Sequence, residues 1–494
     1  MGRLRFTIPA DVQLPAIALE TVYMAGMDDV PWLCHVALVD RCLSVVRPNS
    51  DSGSLRIAWP TSRGCYLLRT ASLPEREEPY RLDIELARGT VSRIREFLAQ
   101  AHWAGCSIPD AVTDTVRRAE SHFLDAVVMS RSSERDSWLS AQQAIEASLS
   151  IAEPLVQSVV EVALAARRQH ARQLPTLLVG RLEELPINTE QESQFLETFN
   201  VAAVPAVWKR LQTETGQWQW SLLDQRLHWC HQRGVRVGVG PLLSPTRDLL
   251  PDWLFLWQED FDQLRQTIVE YLEQLVRHCR GRVHYWHVAS AMNLPGDLQL
   301  GEEDRVRLLV AAIDAVRRAD GQTPMIVTFD QPWAQYLAHS PGELSPLYFA
   351  EMLVRGDLGL AGIGLELQLG CWPGSGPPCD LLELARLLDQ WSALNFPLLV
   401  VLTVPGGSGP DPNCWQSEVQ TVWGNFKPSA DSQRRWLEQL VPLLLAQPSV
   451  HGILFNQCRD SQPHRIPHGG LWDLHDQPKP ALDVLRKLRA EWLG

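Results

Sequence analysis

The spacing of apolar residues along the chain falls into three regimes. Over residues 1–85, apolar and polar positions alternate in short runs, LRFTIPA, WLCHVALVD, SLRIAWP and GCYLLRTASL, cut by turn residues as in RPNSDSGS. Period-two alternation marks half-buried strands, so this region reads as a small β-sandwich-like domain. The charged, proline-bounded stretch ASLPEREEPY at 71–80 reads as a linker. Over 86–172 the period lengthens. TVSRIREFLAQAHWAG places Val91, Ile94, Phe97 and Leu98 on one stripe, and the same pattern runs from Asp110 to His170, with breaks expected at SRSSERDS (130–137) and at Pro154. This predicts a helical segment, packed as a hairpin or small bundle.

From 173 to 494 strand and helix patterns alternate. The strands are PTLLVGRL (175–182), FNVAAVPAVW (199–208), VRVGVGPLL (235–243), VHYWHVAS (283–290), PMIVTFD (324–330), LAGIGLELQLG (360–370), FPLLVVLTVP (396–405) and HGILFNQCRD (451–460). Helical patterns fall at 219–233, 258–280, 302–318, 380–392, 430–446 and 479–491. Unbroken apolar strands are buried on both faces, which is the condition of a parallel sheet. Eight such units predict an α/β fold, a (β/α)8 TIM barrel at the C-terminus, preceded by the β and helical regions. Function then belongs at the C-terminal ends of the strands.

Composition narrows the ligand class. The net charge is −13, and an acidic surface repels phosphate backbones, so nucleic acid is not an expected partner. No GxGxxG follows the first barrel strand, which argues against a dinucleotide, and no cofactor is expected. The N-terminus lacks the apolar stretch of a signal peptide, and no run is apolar for long enough to span a bilayer; the expectation is a cytoplasmic protein without a membrane partner. Ten cysteines lie at irregular spacing with no CxxC pair, as reduced, mostly buried thiols do. His464, His468 and His475, near Asp473 and Asp476, match no standard ligand spacing, and no metal is expected. The 19 tryptophans lie mostly after residue 200. Flat amphipathic rings suit a carbohydrate cleft, and they also fill large cores.

Read in order, the strand ends resemble the family 10 glycoside hydrolases, the xylanase-like barrels, over roughly the last three hundred residues. FNVAAVPAVWKRLQTETGQWQWSLLDQRLHWCHQRGVRV (199–237) is similar to that family's second strand, its G-x-[FW]-x-[FW] turn and its third strand. LLPDWL (249–254), YWHVAS (285–290), AGIGLELQ (361–368) and WDLHDQPKPALDVLRKL (472–488) resemble its "lP.Wl", W-D-V-V-N-E, "idGiGlQ" and "pKPAy" stretches. The resemblance implies two glutamates about 5–5.5 Å apart, an acid/base after strand four and a nucleophile after strand seven. Matched on those patterns, Ala291 stands at the acid/base and Leu402 at the nucleophile, so the family's catalytic positions are lost. Val239, Leu243 and Ser244 likewise replace the His, Trp and His of strand three, while Trp208 keeps the Trp of strand two.

Two carboxylates remain at strand ends. Glu366 lies within strand six, on the same side as Gln368, and must be paired, hydrogen-bonded or protonated. A salt bridge to an Arg of the barrel or a hydrogen bond to a neighbouring strand stands against a catalytic role. Asp330 closes strand five before Gln-Pro, where an Asx-turn competes with catalysis. The candidate catalytic residues are therefore Glu366 and Asp330. The candidate saccharide contacts are Trp208, Trp286, Trp333, Gln368, Trp372, Trp415 and Asn456, with Trp415, Trp423 and Trp472 in later loops. Packing competes with sugar contact at Trp208 and Trp286. His287 sits at an odd offset from Ser290, which places it on the opposite face of the strand and speaks against a Ser/His pair. Three functions stay open: a saccharide-binding or scaffolding relative of a glycosidase without two-glutamate catalysis, an active glycosidase using Glu366 and Asp330, and a protein-interaction module acting through the β and helical regions. The β domain, with Trp32 and Trp59, could be a carbohydrate-binding module.

Overall fold

The computed structural model describes residues 2–186, 188–342, 344–369, 379–415 and 428–493. The alternating N-terminal runs form two four-stranded sheets. In Gly2–Thr7, buried Leu4 and Phe6 alternate with exposed Arg3 and Arg5, and the strand pairs antiparallel with Cys42–Arg47. The inward residues Leu4, Phe6, Leu43 and Val45 of one sheet share a core with Met24, Leu55, Ile57 and Trp59 of the other. Trp59 is fully buried, its Nε1 donating to Gln142 Oε1, so its ring offers no binding platform.

Three helices follow, α1 (Leu82–Trp103), α2 (Asp110–Met129) and α3 (Glu134–His170). The break at 130–133 forms as expected, with the Ser133 hydroxyl capping α3 by accepting from Asp136 N–H. Pro154 does not break the chain: α3 runs unbroken for 37 residues. An internal proline costs about 3 kcal/mol, and burial on both sides of it outweighs that cost. Ala141, Ala144, Ile145 and Leu149 pack into the N-terminal core, while Ile151, Ala152, Leu155, Val156, Val160 and Leu164 pack into the core of the barrel. The proline ring itself faces outward. By length and hydropathy α3 alone among the described residues would suffice to cross a membrane, contrary to the sequence expectation, but its apolar side is divided between these two cores.

The eight predicted strands close into a parallel barrel. They are β1 (Leu177–Arg181), β2 (Val201–Val204), β3 (Arg236–Val239), β4 (Tyr285–Ser290), β5 (Met325–Asp330), β6 (Gly362–Gln368), β7 (Leu398–Thr403) and β8 (Val450–Phe455). Alternate residues face in, where Val179, Val201, Ala203, Ile326, Leu399, Val401 and Leu454 form an inner core. The residues between them, such as Leu178, Val327, Leu365 and Leu402, face out and pack under the surrounding helices. All six predicted helices form, and Thr189–Thr198 and Pro346–Arg355 add to them. The N-terminal region is bound to the barrel by charge as well as by α3. Arg56 pairs with Asp29 and with Glu383 at 3.1 Å, and Arg93 of α1 with Asp380 at 2.6 Å.

Candidate functional site

The inward register of β5 and β6 builds the polar centre of the barrel. Asp330 lies opposite Glu366, and Thr328 opposite Gly364. A Cβ at position 364 would stand 2.2 Å from Thr328 Cγ2, so the absence of a side chain there lets the threonine methyl pack flat against β6. The Thr328 hydroxyl then donates to Glu366 Oε1 at 2.6 Å and lies 3.0 Å from His287 Nε2. Burial, and next the Asp330 charge, push the Glu366 carboxyl up to about 7, against the Thr328 hydrogen bond and the charges of Arg465 and Arg181. Burial pushes His287 down to about 3, the Ala289 backbone opposing and the Arg181 charge assisting, so its imidazole is neutral. When Glu366 is ionised, the hydroxyl gives its proton to the carboxylate and receives one from His287 Nε2–H. When Glu366 is protonated the row can run the other way, which is the property a proton shuttle requires.

Asp330 is held differently. It is 1% exposed. Arg465 Nη1 donates to its Oδ2 at 2.9 Å, and Gln331 N–H donates to its Oδ1 at 2.8 Å. Asn293 braces its backbone from both sides, donating to the carbonyl at 2.8 Å and accepting from the N–H at 3.1 Å. The Arg expected beside Glu366 thus pairs with Asp330, and Glu366 takes the alternative, a hydrogen bond across to the neighbouring strand. With one positive charge committed to Asp330, the pair of carboxyls sheds its charge at Glu366.

On the other side of the barrel axis Arg181 Nη1 donates to Asn456 Oδ1 at 2.7 Å, and Arg181 Nε lies 2.9 Å from Glu183 Oε1. Gln368 Oε1 and Trp333 Nε1 are buried without a hydrogen-bond partner among the described residues. The inward residues of β7 are Leu399 and Val401; Leu402 faces the outer core, and Thr403 follows at the inward mouth by the same alternation. Ala291, just past β4, holds a left-handed φ of 56° and donates its N–H to the Thr328 carbonyl at 3.1 Å.

The tryptophans divide by place. Trp208 is fully buried, its ring stacked on Tyr271 at 3.9 Å, and Trp286 is fully buried with its Nε1 donating to Asp320 Oδ2 at 3.1 Å. Both pack outside the strands, under the helices, and neither presents a face to a ligand, which corrects the expectation of sugar contact at these two positions. Trp472 is buried as well, whereas Trp415 is 50% exposed. Trp372 and Trp423 lie outside the described residues. In the helical segment, the expected partner-binding region, α2 leaves Leu124 and Val128 exposed.

Sequence reasoning missed several members of the site. His287 was placed on the wrong face because a register shift between His287 and Ala289 is invisible in the sequence. His287 lies beside Ile326 and Ser290 beside Thr328, both inward positions of β5, so the odd offset plus the bulge puts both on the interior side. Thr328, Arg465, Arg181 and Asn293 carried no pattern of their own. Asp411, Asp460 and His464 bring ligand-type atoms within 4.8 Å of one another. Protein groups already serve them: Lys479 Nζ donates to Asp460 Oδ2 at 2.5 Å, and His464 Nε2 lies 2.8 Å from Asp411 Oδ2. His475 and Asp473 stand in a turn, with the Asp473 carboxylate accepting from the N–H groups of His475 and Gln477.

No family model and no curated protein matches the chain. Solved structures similar to it include xylanase 10B from Thermotoga maritima, at 13% identity, covering 66% of this chain and 98% of that one, with a TM-score of 0.47. Xylanase B from Clostridium stercorarium F9 is similar at 15% identity over 65% of this chain and 98% of that one, with a TM-score of 0.47. A thermostable mutant of the Cellvibrio japonicus xylanase Xyn10A is similar at 14% identity over 64% and 98%, with a TM-score of 0.48. At these identities and TM-scores the likeness carries no argument about chemistry.

Proposed function

We propose that the chain binds a saccharide at the C-terminal mouth of its barrel without cleaving it by a paired-carboxylate displacement. The observation that carries this reading is the Arg465–Asp330 pair. A carboxylate that is 1% exposed and accepts from a guanidinium and a backbone N–H is a structural counter-ion. Attack on an anomeric carbon would require it to shed both partners. The groups left to act at the mouth are binding groups: the unpartnered Gln368 Oε1 and Trp333 Nε1, Asn456 on Arg181, and the exposed ring of Trp415. Buried donors and acceptors without partners among the described residues suit sugar hydroxyls, and an exposed aromatic face suits a sugar ring. The stretches of sequence resembling family 10 glycoside hydrolases support the same ligand class. Calorimetric titration with β-linked xylo- and cello-oligosaccharides tests it: binding weakened by Gln368→Ala and by Trp415→Ala is expected, and the absence of binding to every β-glycan tried sinks it.

One observation favours a second reading, hydrolysis with Glu366 as general acid. A carboxyl brought to about 7 is half protonated near neutrality, the condition of a competent acid. Release of nitrophenol from aryl β-xylosides by the wild type, abolished in Glu366→Gln and Asp330→Asn, would establish that reading in place of the first.

A further inference from the structure

Beside the barrel axis, where β1 and β2 end, lies a cavity of about 140 Å³ that shares Arg181 and Trp415 with the mouth and is lined further by Glu183, Arg210, Arg226 and Asp248. Arg226 is its unusual member. It stands on the helix Ser221–Gln232, is 5% exposed, and makes no hydrogen bond or ion pair among the described residues. Its Nε is sealed with no acceptor. A buried guanidinium without an acceptor is expensive, and such groups are normally paired. Burial brings it down to about 10, with Glu183 opposing, so it carries its charge at neutral pH.

The other charges do not satisfy it. Glu183 already faces Arg181 at 2.9 Å, and its second oxygen, Oε2, is buried with no donor among the described residues. Burial pushes that carboxyl up, with Arg181 opposing. Arg210 and Asp248 are exposed at the rim. Among the described residues the cavity therefore offers an unclaimed cation, an unclaimed acceptor in the same lining, and at its edge a tryptophan ring that is 50% exposed. Trp415 is fixed there by its own N–H, which donates to the His464 carbonyl at 2.9 Å.

We propose that this cavity is a subsite for a sugar unit bearing a carboxylate, whose two oxygens meet the guanidinium of Arg226, with Arg210 at the entrance, while a ring hydroxyl donates to Glu183 Oε2 and the ring lies along Trp415. The planar fork of an arginine matches the two oxygens of a carboxylate, and a charge-assisted pair with a buried guanidinium discriminates strongly against the neutral sugar. The volume admits a single pyranose-sized unit rather than an extended chain. This inference deepens the saccharide-binding reading and rests on it.

The test compares xylotriose with the same trisaccharide carrying one glucuronate branch, titrated calorimetrically into the full chain. The acidic ligand is expected to bind about tenfold tighter or better. Arg226→Gln is expected to abolish that preference. Arg210→Gln, a change at an exposed position that the fold does not depend on, is expected to reduce it, and this keeps the test decisive should Arg226→Gln fail to fold. Glucose 6-phosphate against glucose serves as the second arm: a larger preference for the phosphate than for the carboxylate overturns the assignment of the anion. Equal affinity for the two trisaccharides overturns the subsite and leaves the saccharide reading standing, as does a preference that survives both substitutions. Failure of both trisaccharides to bind overturns both.

Discussion

Glu366→Gln removes one ionisable proton from the interior of the barrel while keeping the oxygen to which Thr328 donates. The ordinary value for the group is 4.5, and burial with the Asp330 charge brings it to about 7 in the fold. The value is raised, so the folded chain binds the proton more tightly than the unfolded chain does. The contribution of this group is therefore most favourable at acid pH. It declines as pH rises from 4.5, and the full cost is felt above about 7. That gap corresponds to about 3 kcal/mol, or about 3 °C in melting temperature for a chain of this length. The neighbours do not share the window: Arg465, raised further by the Asp330 charge against the effect of burial, remains cationic, and His287, brought down to about 3, remains neutral. Scanning calorimetry of wild type and Glu366→Gln between pH 5 and 8 checks the reasoning. The melting temperature of the variant relative to wild type should climb by most of that amount as pH rises. A difference that stays constant with pH, or shrinks as pH rises, refutes the account of a carboxyl strained by burial.

Three other perturbations follow from the packing. Arg465→Met strips the guanidinium from Asp330 and leaves a carboxylate buried alone, a loss of about 3–5 kcal/mol in urea unfolding; a loss below about 1 kcal/mol would show that water replaces the arginine. Gly364→Ala drives a Cβ into Thr328, where the gap would be 2.2 Å, and should cost about 1–3 kcal/mol; an unchanged melting curve contradicts the close packing of β5 on β6. Pro154→Ala gives α3 back the N–H that the Ser150 carbonyl lacks and should raise stability by up to about 3 kcal/mol, with a lower melting temperature showing that the helix there is shaped around the ring.

The barrel was legible because its strands are buried on both faces and read as unbroken apolar runs, so PLLVVLTVP and AGIGLELQ stand out from everything around them. The helix Thr189–Thr198 was not legible. It buries Gln191, Phe195 and Thr198, too few apolar positions to draw a stripe. Pro154 misled because propensity is local, while the burial that overrides it comes from two different cores. At the site, Glu366 announced itself as a lone carboxylate in an apolar strand. Its partners could not be read in the same way. Thr328 and His287 look like ordinary strand residues, and Arg465 lies 135 positions from the aspartate it pairs with, in a loop whose path only the closed barrel determines. The arginine cavity was silent for the same reason: the anomaly at Arg226 is a missing partner, and a sequence records residues, never the space between them.

The continuity of α3 through Pro154 bears on how this chain could be divided. A cut at residue 172, where the barrel begins in sequence, would carry away Leu155, Val156, Val160 and Leu164, which lie in the barrel's own core. The severed barrel would bare an oily strip along its flank, against the helices Leu381–Ser392 and Ala430–Ala446 that α3 covers, and a strip of that kind invites aggregation. The N-terminal piece, if it kept α3, would project the same strip into water. One helix is thus common property of both halves, so a truncation made to isolate either one measures an injured molecule, and point substitutions in the intact chain are the cleaner instrument.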